Sequence, residues 1–298
     1  MKGFFQKIIS PNKKTSSEAE TTPVIQETVI SGNKLTNTNL QPPQLLAACA
    51  QSVGVQREHN EDALFALTTT LTSDHSNLPF GLYIVADGMG GHQHGEIASG
   101  IAVRSMSSYM ISKLLVPLLS VKPVTPESSL SEIMQTGIHE THRAITHQVP
   151  GGGTTLTAVL VLGEQMIVAH VGDSRAYTLD LQGKMETLTR DHSLVQRLVE
   201  LGQISREEAA IHPQRNVVYR ALGQGEPFDP DIKRIQLPEQ GYVLVCSDGL
   251  WGVIPENEIS NLVLNSATLD IACQALIDAA NGAGGPDNIT AILIRLPG

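Results

Sequence analysis

Three aspartates stand where apolar, strand-like runs of the sequence begin or end. Asp87 ends the run in YIVADGMGG, Asp248 follows LVCS, and Asp287 precedes NITAILI. An aspartate in such a place either forms a turn or binds a cation. Oxygen ligands select Mg²⁺, Mn²⁺ or Ca²⁺ over zinc and copper, and pairs of such ions commonly serve phosphate chemistry. The three acids together therefore predict a site for hard divalent ions.

Further candidates lie in REHNEDAL, in VGDSR and directly after the first aspartate. They are one arginine, three acids and one glycine that could offer its carbonyl oxygen: Arg57, Glu61, Asp62, Asp173 and Gly88. Clustered carboxylates repel one another without a cation, and some of them then stay protonated. The arginine supplies what the acids lack, which is a planar donor fork for a phosphate dianion.

Each of these signals has a plainer explanation when it is taken alone. An Asp-Gly pair usually forms a turn, and a single arginine is usually a solvated surface charge. Residues 151–155 (GGGTT) lack the Gly-Lys-Ser/Thr ending of a phosphate-binding loop and favour a turn into a strand. His92 and His94 could ligate a metal or serve in a loop or a helix cap. Only the joint occurrence of the signals indicates a site.

Composition limits the class of protein. The chain has 298 residues, is 41% hydrophobic and carries a formal net charge of -10, which argues against a general nucleic-acid binder. Cys49, Cys246 and Cys273 show neither a disulfide framework nor zinc-site spacing, so we expect a reducing compartment. No apolar run approaches the roughly 18 residues of a membrane span. We therefore expect a cytoplasmic protein.

The chain divides into a leader and one domain. Residues 1–44 are rich in Ser, Thr, Asn, Gln and Pro and show no hydrophobic period, which predicts a disordered leader. Residues 3–9 could instead form a short amphipathic turn that contacts a membrane or a partner. Residues 45–298 form the expected domain.

Within the domain, apolar runs of strand length often follow one another without an intervening helix, and helical patterns come in pairs. The predicted strands are 45–55, 63–67, 82–86, 155–162, 166–171, 176–179, 242–246 and 289–294. The predicted helices are 96–115, 129–147, 256–264 and 269–281. This order indicates an α+β architecture with mostly antiparallel sheet. Residues 191–228 contain a short helical pattern and read as an insertion that could cover a site.

Eight segments, in order, resemble the motif series of the metal-dependent PP2C (PPM) serine/threonine phosphatases, above all the compact bacterial members. The segments are NED after an arginine, ADGMGGHQHGEIAS, GTTLTAVLV, AHVGDSRAY, LTRDHSLVQRLVELGQIS, NVVYRALG, VCSDGLWGVI and GGPDNITAILI. They extend from about residue 47 to residue 296. The resemblance implies a four-layer α-β-β-α sandwich of two packed, mostly antiparallel sheets, in which residues 191–228 form a flap beside the active site.

The same resemblance implies a site for two Mn²⁺ or Mg²⁺ ions. Asp87 would bridge both ions, and the carbonyl of Gly88 would contact one of them. Asp248 and Asp287 would hold the first ion. A hydroxide that bridges the ions would attack phosphoserine or phosphothreonine in line, without a phosphoenzyme, and Asp87, Asp248 and the arginine would carry catalysis.

The remaining motif positions receive supporting roles by the resemblance. Glu61 and Asp62 lie beside the second ion, where either one binds directly or through water. Asp173 matches an acid that helps to bind a third, weaker ion, and Arg57 matches the phosphate-binding arginine. Met89 stands where eukaryotic members carry a His that protonates the leaving group, so a metal-bound water or His92 remains for that task.

The implied partners are phosphorylated proteins in signalling, expected to be substrates of a bacterial Ser/Thr kinase, and the expected state is a monomer. One alternative keeps the fold and discards catalysis, giving a phosphoprotein-binding regulatory module. Retention of Asp87, Asp248, Asp287 and Arg57 argues against it. A phosphotransferase is a second alternative, but the sequence has no Lys-bearing nucleotide loop.

Overall fold

The computed structural model describes residues 42–73, 76–90, 93–122, 127–225 and 228–297. Nearly all of the predicted leader therefore lies outside the described residues, and the leader and the domain boundary at residue 45 stay predictions. His92, one of the two histidines considered as metal ligands, also lies outside the described residues.

The described residues form eleven strands and eight α-helices. The strands are β1 (Leu46–Ser52), β2 (Asp62–Ser73), β3 (Ser76–Met89), β4 (Gly153–Thr154), β5 (Leu156–Leu162), β6 (Gln165–Val171), β7 (Arg175–Leu179), β8 (Met185–Thr187), β9 (Asp231–Gln236), β10 (Tyr242–Cys246) and β11 (Ile289–Arg295). The helices are α1 (Gln93–Met110), α2 (Val116–Leu118), α3 (Leu130–Gln148), α4 (Leu194–Glu200), α5 (Arg206–Ala210), α6 (Asp248–Trp251), α7 (Glu256–Asn265) and α8 (Leu269–Gly282). None of the helices in the described ranges is long and apolar enough to cross a membrane.

The strands form two antiparallel sheets. Sheet I has the order β1-β11-β10-β7-β8, and sheet II has the order β2-β3-β5-β6-β9, with the short β4 paired to the end of β3. Every strand pair with a described register is antiparallel. The mostly antiparallel architecture expected from the sequence is therefore confirmed.

Alternation of apolar side chains along the central strands creates three buried clusters. In β3, Leu82 and Ile84 point to the helices that cover sheet II. Tyr83 and Val85, on the opposite face of the strand, pack with Val245 of sheet I. Since successive side chains of a strand point to opposite faces, a strand that is apolar at every position is buried on both sides. The central strands thus form the two inner layers.

Helices cover the outer face of each sheet. Met106 of α1 and Ile138 of α3 belong to the cluster on sheet II, whereas Ile259 of α7 and Leu276 of α8 belong to the cluster on sheet I. The packing order is helices, sheet, sheet, helices. The predicted four-layer α-β-β-α sandwich is confirmed.

All eight predicted strands and all four predicted helices have counterparts, and the differences concern mainly length and edges. The helix predicted over 96–115 is observed as α1, followed by a π-helical turn at Ile111–Leu115. Strands β2 and β3 extend well beyond 63–67 and 82–86 as one long hairpin. Strand β9 was not predicted, because its sequence DIKRIQ is charged, as is typical of a strand at the edge of a sheet.

The predicted insertion lies between β8 of sheet I and β9 of sheet II, and we call residues 191–228 the flap. Ser193 caps α4 by accepting a hydrogen bond from the backbone of Gln196. Ser205 and Glu208 form a capping box that starts α5. The flap returns beside its own beginning, where the backbone N–H of Leu194 donates to Val217.

Candidate active site

A cleft of about 600 Å³ opens where β3 and β10 end and β11 begins. Seven of the eight candidate residues line it: Arg57, Glu61, Asp87, Gly88, Asp173, Asp248 and Asp287. Asp62, the eighth, is 8% exposed and does not line the cleft. Residues that are up to 230 positions apart in sequence thus meet at one place.

Antiparallel pairing explains why these residues converge. Cys246 at the end of β10 pairs with Ala291 near the start of β11, so Asp248 and Asp287 lie at the same end of sheet I. Asp248 itself is the first residue of the short helix α6, two residues beyond the strand. At the corresponding end of sheet II, Asp87 comes near the end of β3. Both sheets therefore deliver carboxylates to one end of the sandwich.

Asp62 and Asp87 are direct partners in the β2–β3 ladder. The Oδ2 atom of Asp62 accepts hydrogen bonds from the hydroxyls of Ser247 and Thr290, at 2.7 and 2.6 Å. Its Oδ1 atom is buried and has no hydrogen-bond partner among the described residues, and the same holds for Oδ1 of Asp248. Buried carboxylate oxygens without a donor are costly unless a proton, a water or a cation satisfies them.

The carboxyl groups of the cluster have raised pKa values. Burial raises the pKa of Asp62 to about 7 and that of Asp248 to about 6, and repulsion from neighbouring carboxylates adds to both shifts. Burial also holds the pKa of Asp87 and of Asp173 well above its usual value. Without a cation, the cluster therefore retains protons at a pH where isolated carboxyls have lost them.

The donor set fits a hard divalent ion. All the donors are oxygens, and two of them are buried and unpartnered within the described residues. In the described part of the chain, no three or more His, Cys, Asp or Glu side chains are grouped so that they could hold a metal ion by themselves. Mg²⁺ usually keeps several waters and takes only one or two carboxylates, so an incomplete side-chain cage suits this ion.

Arg57 lies at the rim of the cleft and bonds to one of its acids. Its Nη2 atom donates to Oδ2 of Asp287 at 2.7 Å. The two side chains are 49% and 26% exposed, so the ion pair is open to solvent. The hydrogen bond to Asp287 raises the pKa of the guanidinium, which therefore stays charged. A charged donor fork thus stands directly beside the carboxylate cluster.

Gly88 and Gly249, which directly follow Asp87 and Asp248, have no room for a side chain. A Cβ atom at Gly88 would lie 2.3 Å from the backbone oxygen of Gly95, and one at Gly249 would lie 2.1 Å from the backbone oxygen of Asn288. Both glycines therefore allow neighbouring backbone to approach Asp87 and Asp248 from behind.

Sequence reasoning missed the residues that support the acids. The Nδ2 atom of Asn288 donates to the carbonyls of Val53 and His59, and its Oδ1 atom accepts from the backbone of Glu61. This side chain holds the segment that carries Arg57 against the start of β11. The sequence offered one clue to Asn288, namely that it is a polar residue directly after Asp287. Ser247 and Thr290, which bond to Asp62, offered no comparable signal.

The weaker candidates fall outside the cleft. His94 is an exposed residue in the first turn of α1 and does not line the cleft. In the GGGTT stretch, Gly153 and Thr154 form β4, so the expected turn into a strand is confirmed. Residue Met89, by contrast, lines the cleft beside Gly88.

Comparison with known proteins identifies the class and then the family. The curated relatives are named as serine/threonine phosphatases and protein phosphatases, and this chain is an enzyme of that class. The family described as Protein phosphatase 2C matches residues 49–289, which is most of the chain. The chain belongs to the protein phosphatase 2C family.

Three similar proteins illustrate the relationship. The serine/threonine phosphatase stp of Listeria monocytogenes serotype 4b is 36% identical over 245 residues, which cover 80% of this chain and 91% of that protein. The structure of the S. agalactiae serine/threonine phosphatase has a TM-score of 0.70 at 36% identity and covers 85% of this chain and 99% of the other. The catalytic domain of PstP in complex with two manganese ions has a TM-score of 0.69 at 29% identity. The match covers 86% of this chain and 99% of that chain.

Proposed function

We propose that this chain hydrolyses phosphoserine and phosphothreonine in proteins, that it depends on two Mn²⁺ or Mg²⁺ ions, and that it uses water without a phosphoenzyme. The observation that carries the proposal is the convergence of five acids and an arginine on one cleft. Two buried carboxylate oxygens, one on Asp248 in the cleft and one on Asp62 behind it, have no hydrogen-bond partner among the described residues. The manganese complex of PstP supports the choice of ion for this family member.

In this proposal, residues of both sheets would hold the ions. Asp87 and the carbonyl of Gly88 would contribute from sheet II, and Asp248 and Asp287 from sheet I. Glu61 lines the cleft and would act from its rim, either directly or through water. Ions bound there supply an activated water and neutralise the charge of the phosphoryl group.

A weaker third site is part of the proposal. Asp173 lines the same cleft, and repulsion from Asp248 contributes to the raised pKa of its carboxyl group. An acid that is repelled by a neighbouring carboxylate but lies on a separate turn is well placed to bind a further cation. Asp62, which is buried behind the cleft, would bind the second ion directly or through water.

Arg57 would bind and orient the substrate phosphate. Its guanidinium is half-exposed at the rim, and its bond to Asp287 aligns the fork beside the proposed ions. A fork-shaped donor holds two phosphate oxygens at once, so it favours the geometry needed for in-line attack.

Direct attack by water is supported by the state of the cysteines. Burial raises the pKa of Cys246 and of Cys273 to about 12, so neither is a thiolate near neutral pH. Cys49 is exposed but does not line the cleft. Met89 lines the cleft and has no proton to donate, so the leaving oxygen takes its proton from another group.

The substrates we propose are proteins phosphorylated by a bacterial Ser/Thr kinase, on which the chain acts as a monomer in the cytoplasm. The bacterial relatives, which are named as a serine/threonine phosphatase and a protein phosphatase, support phosphorylated proteins as the substrates. The three unpaired cysteines support a reducing compartment.

The direct test is hydrolysis of p-nitrophenyl phosphate and of a phosphothreonine peptide by protein stripped of metal. We expect no turnover in EDTA, and turnover after addition of Mn²⁺. Absence of turnover with Mn²⁺, or turnover that survives EDTA, contradicts the proposal. Tight binding of the phosphopeptide without turnover would instead identify a phosphoprotein-binding regulatory module.

A further inference from the structure

The two oxygens of the buried Asp62 carboxylate have different surroundings. Oδ2 accepts one hydrogen bond from Ser247 and one from Thr290, both from residues that are 0% exposed. Oδ1 has no hydrogen-bond partner in the described ranges. Because water does not reach the two hydroxyls, the packing of the protein alone determines which carboxylate oxygen receives their hydrogen bonds.

The direction of both hydrogen bonds is fixed by a second layer of donors. The Ser247 hydroxyl oxygen accepts from the backbone N–H of Thr290 at 3.0 Å, and the Thr290 hydroxyl oxygen accepts from Nε2 of Gln51 at 3.0 Å. Each hydroxyl therefore has its own proton left to donate. For Ser247, Oδ2 of Asp62 at 2.7 Å is a better acceptor than the carbonyl of Asn288 at 3.4 Å. Both protons point at Asp62.

The position of Ser247 underlines this use of its hydroxyl. It is the N-cap residue of α6, where a serine hydroxyl normally accepts a hydrogen bond from the helix backbone. Here its side chain makes no such cap. The hydroxyl that would stabilise the helix is directed instead to a carboxylate that lies opposite Asp87.

We infer that Ser247 and Thr290 are positioning residues of the proposed metal centre. They orient the Asp62 side chain by bonding to Oδ2, and they leave Oδ1 for a cation or for a water bound to one. Gln51 fixes the orientation of the Thr290 hydroxyl. The inference rests on the proposed function, since it assumes that divalent ions bind beside Asp87 and Asp248.

The test compares Mn²⁺ binding to metal-free variants by titration calorimetry, together with the dependence of turnover on Mn²⁺ concentration. We expect Ser247→Ala and Thr290→Val to weaken Mn²⁺ binding by about tenfold or more, the usual loss when a hydrogen-bond partner of a ligating group is removed. Thr290→Ser keeps the hydroxyl and should lose much less Mn²⁺ affinity than the roughly tenfold that removal of such a partner costs. At saturating Mn²⁺, the kcat of each variant should come closer to the wild-type value than its affinity for Mn²⁺ does.

Two controls remove buried hydroxyls of residues that do not line the cleft. Ser260→Ala removes a hydrogen bond to Gly183, and Thr141→Val removes one to Gly137. Both should leave Mn²⁺ affinity unchanged. Should Thr290→Val fail to fold, Gln51→Ala on the exposed edge of β1 offers a milder test, with a measurable loss of Mn²⁺ affinity below about tenfold expected.

The outcomes separate the inference from the proposed function. If the wild type binds no Mn²⁺ and needs none for turnover, the proposed function is wrong. If the wild type binds Mn²⁺ and both Ser247→Ala and Thr290→Val bind it equally well, the proposed function stands and the positioning role is overturned. Equal losses in Thr290→Ser and Thr290→Val would also overturn it, because the hydroxyl would then be irrelevant.

Discussion

Asp62 and Asp87 face each other directly across the β2–β3 ladder of sheet II. Directly opposite residues of an antiparallel pair lie about 5 Å apart at Cβ, and like charges there destabilise the sheet. The donors to Asp62 are neutral hydroxyls, so they do not cancel the charge. The pair is compatible with the folded state if a proton or a cation lies close by.

The metal-free protein should lose stability through Asp62 as the pH rises from about 4 to about 7. The pKa of the group is about 7 in the folded state and about 4 in an unfolded chain. Between these values the folded state holds a proton that the unfolded state has released, so a rise in pH favours unfolding. Thermal melts in EDTA across this range measure the effect, and Mn²⁺ at pH 8 should raise the melting temperature.

The matched control for this titration is Asp62→Asn, which keeps the shape of the side chain and cannot ionise. The difference in melting temperature between wild type and variant should change across the window. A constant difference would show that Asp62 does not titrate there.

Replacing Asp248 by Asn should reduce turnover by orders of magnitude and leave the fold intact. The amide keeps the size of the carboxylate but lacks the charge that a divalent ion needs. Circular dichroism and p-nitrophenyl phosphate hydrolysis measure the two effects. Asp278→Asn, an exposed acid of α8 that bonds to Gln274, is the control and should have no effect. Full activity of Asp248→Asn would show that the assignment of ligands is wrong.

Arg57→Ala should raise the KM of a phosphopeptide more than it lowers kcat. The side chain would contribute binding and orientation, and the ions would still activate water. Arg57→Lys should retain the charge but not the fork, and so recover only part of the loss. Steady-state kinetics at saturating Mn²⁺ provide the measurement, with the exposed Arg143→Ala of α3 as control. An unchanged KM with a strongly reduced kcat would contradict this role.

Asp173→Ala should lower activity in a way that additional metal partly restores. The acid is proposed to support a weaker third ion, so its loss should shift the Mn²⁺ concentration needed for half-maximal turnover. Activity that is insensitive to the Mn²⁺ concentration in this variant would remove the third site from the account.

The fold could be predicted well where the sequence alternates or is apolar throughout. Tyr242–Cys246 was predicted with correct bounds, because an apolar run of this length suits a strand buried on both faces. Asp231–Gln236 was missed, because the requirements of a sheet edge allow lysine and arginine in place of apolar residues. The long β2–β3 hairpin was underestimated because its Thr- and Ser-rich parts resemble loops.

The acids of the site could be predicted from the residues, but their supports could not. Asp87, Asp248 and Asp287 adjoin strand-like runs, and the resemblance assigned their roles. Ser247 and Thr290 contact Asp62 from 185 and 228 positions away in sequence, and a hydroxyl in an apolar run does not reveal its partner. The placement of Asp62 behind the cleft likewise follows only from the paired register of β2 and β3.

The most direct test of the central claim is the anomalous scattering of manganese in crystals of the protein soaked in Mn²⁺. We predict two strong peaks in the cleft, each bonded to carboxylate oxygens from the set Asp87, Asp248 and Asp287. Loss of the peaks in Asp248→Asn crystals would tie them to the proposed ligands. Well-ordered crystals with no manganese in the cleft, and with these carboxylates turned away from one another, would contradict the account.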